Sequence, residues 1–380
     1  MLSDKTAVIA GSGARPYPQP NMSLRFGPIF PSVPRHCGPE RICQGEGILL
    51  FQRRRSIGMQ IEFTASAEVR QALANLGRTE DVKFSPSNKR LAIAGYAKNK
   101  ILVVDVEISV SAAGKSVDLT DCVEMESSSL HGPHGLSFID DETLVVANRS
   151  GKVPILKVPP RETEGRKVSV SALRYIRGNA LHRLESPGSV CVFPIEDDLY
   201  EVLICENYVH CVTRHVLDGR AAFRVKSNEI LLRKRLGVPD GVAINTDRRW
   251  ICISNHNTHS VLLFENKPRL NRRSEPAGIL SGVNYPHGVL FSPDNRLVFV
   301  ADAGAPYVRV YAKNGDSWQG LRYPVKSVRV MDDETFLRGR KNPEEGGPKG
   351  IAVDSDMNVL VTTSTQHPLA FYDVPRMLIQ

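Results

Sequence analysis

Apolar and polar positions along the chain fall into one phrase, written six times between Thr79 and Gln380: a tight turn, an apolar strand, a short polar break, a second strand ending in a small polar residue, and a third strand. The copies open at Thr79-Glu80-Asp81, Pro133-His134-Gly135, Pro187-Gly188-Ser189, Pro239-Asp240-Gly241, Pro286-His287-Gly288 and Pro348-Lys349-Gly350. These openings lie 54, 54, 52, 47 and 62 residues apart. A period of roughly fifty residues with several short strands per copy belongs to radial β arrays, in which no unit buries its faces alone. In the fifth copy, 288–292 supplies a first strand, Pro293-Asp294-Asn295 a turn, 297–301 a second strand and 307–311 a third. The turn residues preset φ or tolerate left-handed geometry, and the β-branched and aromatic runs suit a pleated, half-buried surface.

Five copies carry a fourth run, at 117–125, 168–175, 229–232, 278–281 and 327–331; the sixth has none. An unpaired edge invites association, and a ring that closes removes it. The alternating segment 60–64 fits that role. The pattern thus predicts an all-β chain, a six-bladed β-propeller of four-stranded blades over residues 59–380, with an N-terminal strand closing the last blade. Residues 1–58 hold seven prolines and no sustained periodicity, and are expected to be a disordered extension, or sequence read in from before a start at Met59.

Charge changes the picture less than the total suggests. The chain carries +8, but residues 1–58 contribute eight basic side chains against three acidic ones, leaving the propeller at +3. No aromatic residues interleave with its basic ones as base stacking requires, so nucleic acid is not an expected partner. Arg53-Arg54-Arg55 reads as a solvated run. No apolar stretch reaches the length of a membrane span, and residues 2–11 lack the pattern of a signal peptide. Seven scattered cysteines, odd in number and without zinc spacing, fit a reducing compartment, and the cytoplasm is the expected location.

The chemistry is expected where the copies stop resembling each other. In a propeller the first strand of each blade lines the central channel, so the second residue of each opening points toward one mouth: Glu80, His134, Gly188, Asp240, His287 and Lys349. Blades three apart face each other in a ring of six, which sets Glu80 against Asp240, His134 against His287, and Gly188 against Lys349. Two carboxylates and two imidazoles converging on an axis make a candidate site for a divalent ion. Oxygen ligands suit calcium, magnesium or manganese, and imidazole moves the preference toward manganese, iron or zinc. Glu80, Asp240 and His287 are the expected ligands, His134 and His287 the expected catalytic bases, and Lys349 the expected dock for an anionic substrate. A second ring, at the ends of the second strands, comprises Gly95, Asn148, Asn207, Asn255, Asp302 and Thr363. Asn148, Asn207, Asn255 and Asp302 are candidate walls of a substrate pocket, although such residues also cap loops.

The stretch from Pro286-His287-Gly288 through Ser292-Pro293-Asp294-Asn295 to Ala301-Asp302 resembles the repeat of NHL and SMP-30/gluconolactonase-type six-bladed propellers. That resemblance covers about residues 60–380 and implies architecture more than activity. In the SMP-30 type it implies a divalent ion at the channel mouth on a Glu, an Asn and an Asp; Glu80 and Asp240 match the first and last, and no opening here carries the Asn. The histidines are similar to those of propeller lyases. Two functions follow as expectations: a metal-dependent hydrolase acting on a small, anionic substrate, or a non-catalytic NHL-like platform for a protein or peptide partner.

Overall fold

The computed structural model describes residues 58–112, 114–161, 166–179 and 182–379; the extension expected over 1–58 falls, Gly58 apart, outside these residues. Six separate sheets form the blades of a β-propeller. Blade 1 is built from Thr79–Phe84, Arg90–Gly95, Lys100–Ser111 and Gly114–Glu126, and blade 2 from Pro133–Asp140, Thr143–Asn148, Val153–Lys157 and Ala172–Ile176. Blade 3 comprises Pro187–Glu196, Leu199–Glu206, Cys211–Asp218 and Arg224–Leu232, and blade 4 Pro239–Ile244, Trp250–Asn255, Ser260–Glu265 and Gly278–Leu280. Blade 5 comprises Pro286–Phe291, Leu297–Asp302, Tyr307–Ala312 and Lys326–Arg329, and blade 6 Ile351–Val353, Val359–Thr362, Ala370–Asp373 and Gln60–Ile61. Each innermost strand neighbours that of the next blade, and blade 6 returns to blade 1. The core lies between blade faces: Val361 and Phe371 of blade 6, for instance, are buried in one cluster with Leu91 and Ile93 of blade 1.

The openings, expected to be turns, are β-bulges instead. In the first five blades the register slips between the opening residue and the third after it or sooner, as between Pro239 and Val242 or Pro286 and Val289. A bulge adds one unpaired residue and re-aims its side chain, which turns Glu80, His134, Asp240 and His287 onto the axis. The glycine that follows has a packing cause. A Cβ on Gly241 would sit 2.3 Å from the His287 carbonyl oxygen, and one on Gly288 would sit 2.6 Å from that of Lys349, so at these seams the inner strands approach across glycine. Within the hairpins, Asn88 and Asn295 take φ of 59° and 62°, the left-handed region that asparagine tolerates.

The closing segment divides between two blades. Gln60 and Ile61 pair antiparallel with Tyr372 and Phe371 of blade 6, as expected, but Phe63–Ala65 crosses to pair parallel with Val117–Leu119 of blade 1. Phe63 then meets Phe371 edge to face at 5.5 Å, and the helix Ala67–Ala74, capped by Ser66, buries Val69 and Leu73 behind it. The segment is therefore a clasp across the ring's seam. The run at 168–175 divides likewise: Lys167–Ser169 pairs with blade 1 and Ala172–Ile176 completes blade 2. Compared with a chain beginning at residue 58, one beginning at residue 66 is expected to melt several degrees lower and to self-associate through the bared Ala370–Asp373 edge. Calorimetry and light scattering check this, and equal melting of the two chains would remove the clasp from the account. No helix among the described residues is long and apolar enough to cross a membrane.

Candidate functional site

The bulged residues meet on the axis. Glu80, His134, Asp240, His287 and Lys349 are all buried, although charged and imidazole side chains are rarely so enclosed without partners. The partners are one another. The two imidazoles lie side by side, ring centroids 5.3 Å apart and planes 27° from parallel, between the two opposed carboxylates. His134 Nδ1 lies 2.7 Å from the Gly188 carbonyl oxygen; a carbonyl only accepts, so Nδ1 carries the proton and donates. His287 Nδ1 donates to Asp240 Oδ2 at 3.0 Å. Both Nε2 atoms therefore face Glu80, whose Oε2 lies 3.6 Å from His134 Nε2 and 3.7 Å from His287 Nε2. Those three atoms lie within 4.8 Å of one another, and His134 Nε2 has no hydrogen-bond partner.

Fixed charges surround this set. Lys349 Nζ contacts Glu80 Oε1 and Oε2 at 3.3 and 3.2 Å and Glu345 Oε2 at 2.5 Å. Arg78 Nε donates to Glu80 Oε1, and its guanidinium reaches Glu345 at 3.5 Å. Burial would raise the Glu80 pKa, but Lys349, His134, His287 and Arg78 outweigh it and hold the carboxyl at about 2. Asp240 is likewise held well below the carboxylate range, burial being outweighed by its histidines. Burial, reinforced by Arg149, pushes His134 down to about 3, so it is neutral at pH 7. For His287 burial is outweighed by Asp240, which attracts and accepts from the ring, and the pKa rises.

The second ring behaves differently from the sequence expectation. Asn148 donates to the Ser129 carbonyl and accepts from His131 N–H. Asn255 accepts from Gly237 N–H at 2.6 Å and donates to Arg235 O. Asp302 accepts from Asn284 and Tyr285 N–H and from Arg309. These three tie down the loops between blades. Of the four wall candidates, Asn207 alone reaches the axis, donating to Asp240 Oδ1 at 2.8 Å. The strand register explains why: Pro133 pairs with Asn148 and Pro286 with Asp302, but Pro187 pairs with Glu206. In blade 6 the register Ile351 with Thr362 likewise makes Ser364, not Thr363, the matching position. Glu206 is thus the loop-tying residue of blade 3, accepting from Glu185 and Ser186 N–H, and burial raises its pKa to about 7.

Asn207 belongs to a ring one residue further on, with Tyr96, Arg149 and His256. Strand side chains alternate in direction, so this neighbouring set turns toward the axis. Tyr96 packs edge-on to His134 with centroids 6.0 Å apart. Arg149 and His256 each approach one oxygen of Asp240 at 3.8 Å. His256 stacks on Tyr285 at 4.0 Å, and its Nε2 has no partner. Gly188 makes room for this corner, since a Cβ there would sit 1.9 Å from Asn207 Oδ1. Glu345 had no signal in the repeat; it rides on the insertion that makes the last spacing 62 residues. The cavity among these axial side chains is narrow, with room for a water or an ion rather than an organic molecule.

Fold and site together define a six-bladed β-propeller with a buried carboxylate and imidazole cluster on its axis. No protein-family description matches the chain, and no curated protein matches it in sequence. Among solved structures it is similar to a chain in "Crystal Structure of Mitotic Checkpoint Complex", with a TM-score of 0.47 and 12% identity over 78% of this chain and 76% of the other.

Proposed function

We propose that this chain is a metal-dependent hydrolase whose divalent ion is held on the propeller axis by Glu80, His134 and His287. The observation that carries the reading is the pair of buried imidazoles donating Nδ1–H to Gly188 O and to Asp240 while directing Nε2 at one carboxylate oxygen. Metal-bound histidines are oriented by such hydrogen bonds to carbonyls and carboxylates. Ligand atoms around an ion with bonds of roughly 2.0–2.2 Å lie roughly 3.3–3.6 Å apart in a tetrahedron, close to the 3.6 and 3.7 Å that separate Glu80 Oε2 from the two nitrogens. A glutamate with two neutral imidazoles suits zinc or manganese better than calcium.

In this reading Asp240 orients His287 rather than binding the ion, and His134 is a ligand rather than a base. Lys349 and Arg78 keep Glu80 ionised. An ion held by Glu80, His134 and His287 would supply Lewis acidity for hydrolysis. His256, whose Nε2 is unpartnered beside Asp240, is the nitrogen available to take a proton. Elemental analysis of purified protein is expected to find one divalent ion per chain, and Asp240→Asn is expected to weaken its affinity roughly 10–100-fold. Full occupancy in Glu80→Ala would sink the reading.

The small size of the axial cavity favours a second reading, a non-catalytic platform on which a peptide partner covers the mouth, where Tyr208 stands 68% exposed. Protein that takes up no divalent ion would move the assignment there.

A further inference from the structure

Resting on the metal reading, we infer that Arg149 receives the carboxylate of a small carboxylate-bearing substrate beside the axis. Among the described residues three permanently charged cations face this site, and two are occupied: Lys349 lies between Glu80 and Glu345, and Arg78 holds the same two carboxylates. Arg149 differs. Its Nη1 is shielded from solvent without a hydrogen-bond partner, and its Nη2 stands 3.8 Å from Asp240 Oδ1, beyond hydrogen-bond reach. The side chain is 21% exposed, but a donor shielded from solvent and left idle is costly unless a ligand fills it, and the planar fork matches a carboxylate in two parallel bonds.

The surroundings fix the sign and size of the ligand. Glu80, Asp240 and Glu345 balance Arg78, Lys349 and Arg149, so a divalent ion adds positive charge that an anion offsets. His256 Nε2, also unpartnered and 3.8 Å from the other oxygen of Asp240, offers a hydrogen bond to a hydroxyl next to that carboxylate. The axial cavity excludes the substrate's body. The ligand therefore enters from the mouth, under Tyr208, whose ring lies 5.5 Å from the Arg149 guanidinium and is mostly exposed. This gives Arg149 the anion-docking role expected of Lys349.

The test uses the full chain loaded with cobalt(II), with lactate as the probe, read by the cobalt visible spectrum and by calorimetry. Arg149→Met is expected to weaken lactate roughly 10–100-fold and Arg149→Lys less, because one charged hydrogen-bonding group is lost or reshaped. Lactate affinity within threefold of the unmodified chain in Arg149→Met would overturn the inference, as would inorganic phosphate binding more tightly than lactate through the same arginine. Absence of a cobalt band in the unmodified chain would instead end the metal reading. Calorimetry of lactate on the metal-free chain then still decides on Arg149 by the same threefold criterion.

Discussion

Glu80→Ala is expected to cost roughly 3 kcal/mol of stability and all of the bound metal. The carboxylate is fully buried and faces Lys349, which is 1% exposed, together with Arg78. Removing one partner of a buried ion pair leaves the other charged and desolvated, which typically costs roughly 3–5 kcal/mol. Glu345 still contacts both cations here, which places the expectation at the lower end. The same logic makes the loss non-additive. In Glu80→Met with Lys349→Met neither charge is stranded, and that double variant is expected to regain most of the stability while still lacking metal. Urea unfolding with an unchanged slope, beside elemental analysis, separates the two effects. A loss below about 1 kcal/mol in Glu80→Ala would mean that water reaches the cations and that the cluster is not sealed.

The ring of six blades and the closing strand were legible because each copy repeats a turn chemistry and an apolar alternation that only stacking can bury. Opposition of Glu80 to Asp240 and of His134 to His287 followed from counting blades alone. The division of labour among those residues was not legible, because it depends on which ring nitrogen meets which acceptor. His134 is fixed by a carbonyl of blade 3, a backbone atom that no residue type announces. The second ring slipped by one residue in blade 3 because its longer hairpin moved Glu206 into the place that Asn207 was expected to hold. In a strand, one residue is the difference between facing a loop and facing the axis. Arg149 and His256 stood next to the expected positions for the same reason. The bulges were read as turns because Pro-x-Gly serves both, and only the close approach of neighbouring inner strands distinguishes them.

Acidification of the metal-free chain from pH 7 to pH 5 is expected to remove roughly 3 kcal/mol of stability, well before any carboxylate at the axis is protonated. Burial holds His134 and His215 at about 3 and His256 at about 4. In the unfolded chain each returns to about 6.5. Below that value the unfolded state binds protons that the native state refuses, so stability falls as pH falls, by about 2 kcal/mol for each histidine over this interval. Glu206 acts in the opposite direction. Its native pKa of about 7 means that the folded chain gains a proton first, which returns about 2 kcal/mol. His287, raised by Asp240, also favours the folded state at the lower pH, since its contribution is complete below about 6.5 and fades as pH rises through its native value. The Glu80 contribution, with a native value of about 2, persists through the whole interval. Urea unfolding at pH 7, 6 and 5 reads the net slope. His215 supplies the control, because it sits in blade 3 with Nε2 on Thr213 at 2.9 Å, outside the axial cluster. His215→Phe is expected to flatten the slope by close to one proton while leaving metal content alone. A slope that this variant does not change would show that His215 titrates alike in the folded and unfolded chain, and would remove the buried histidines as the source of acid sensitivity.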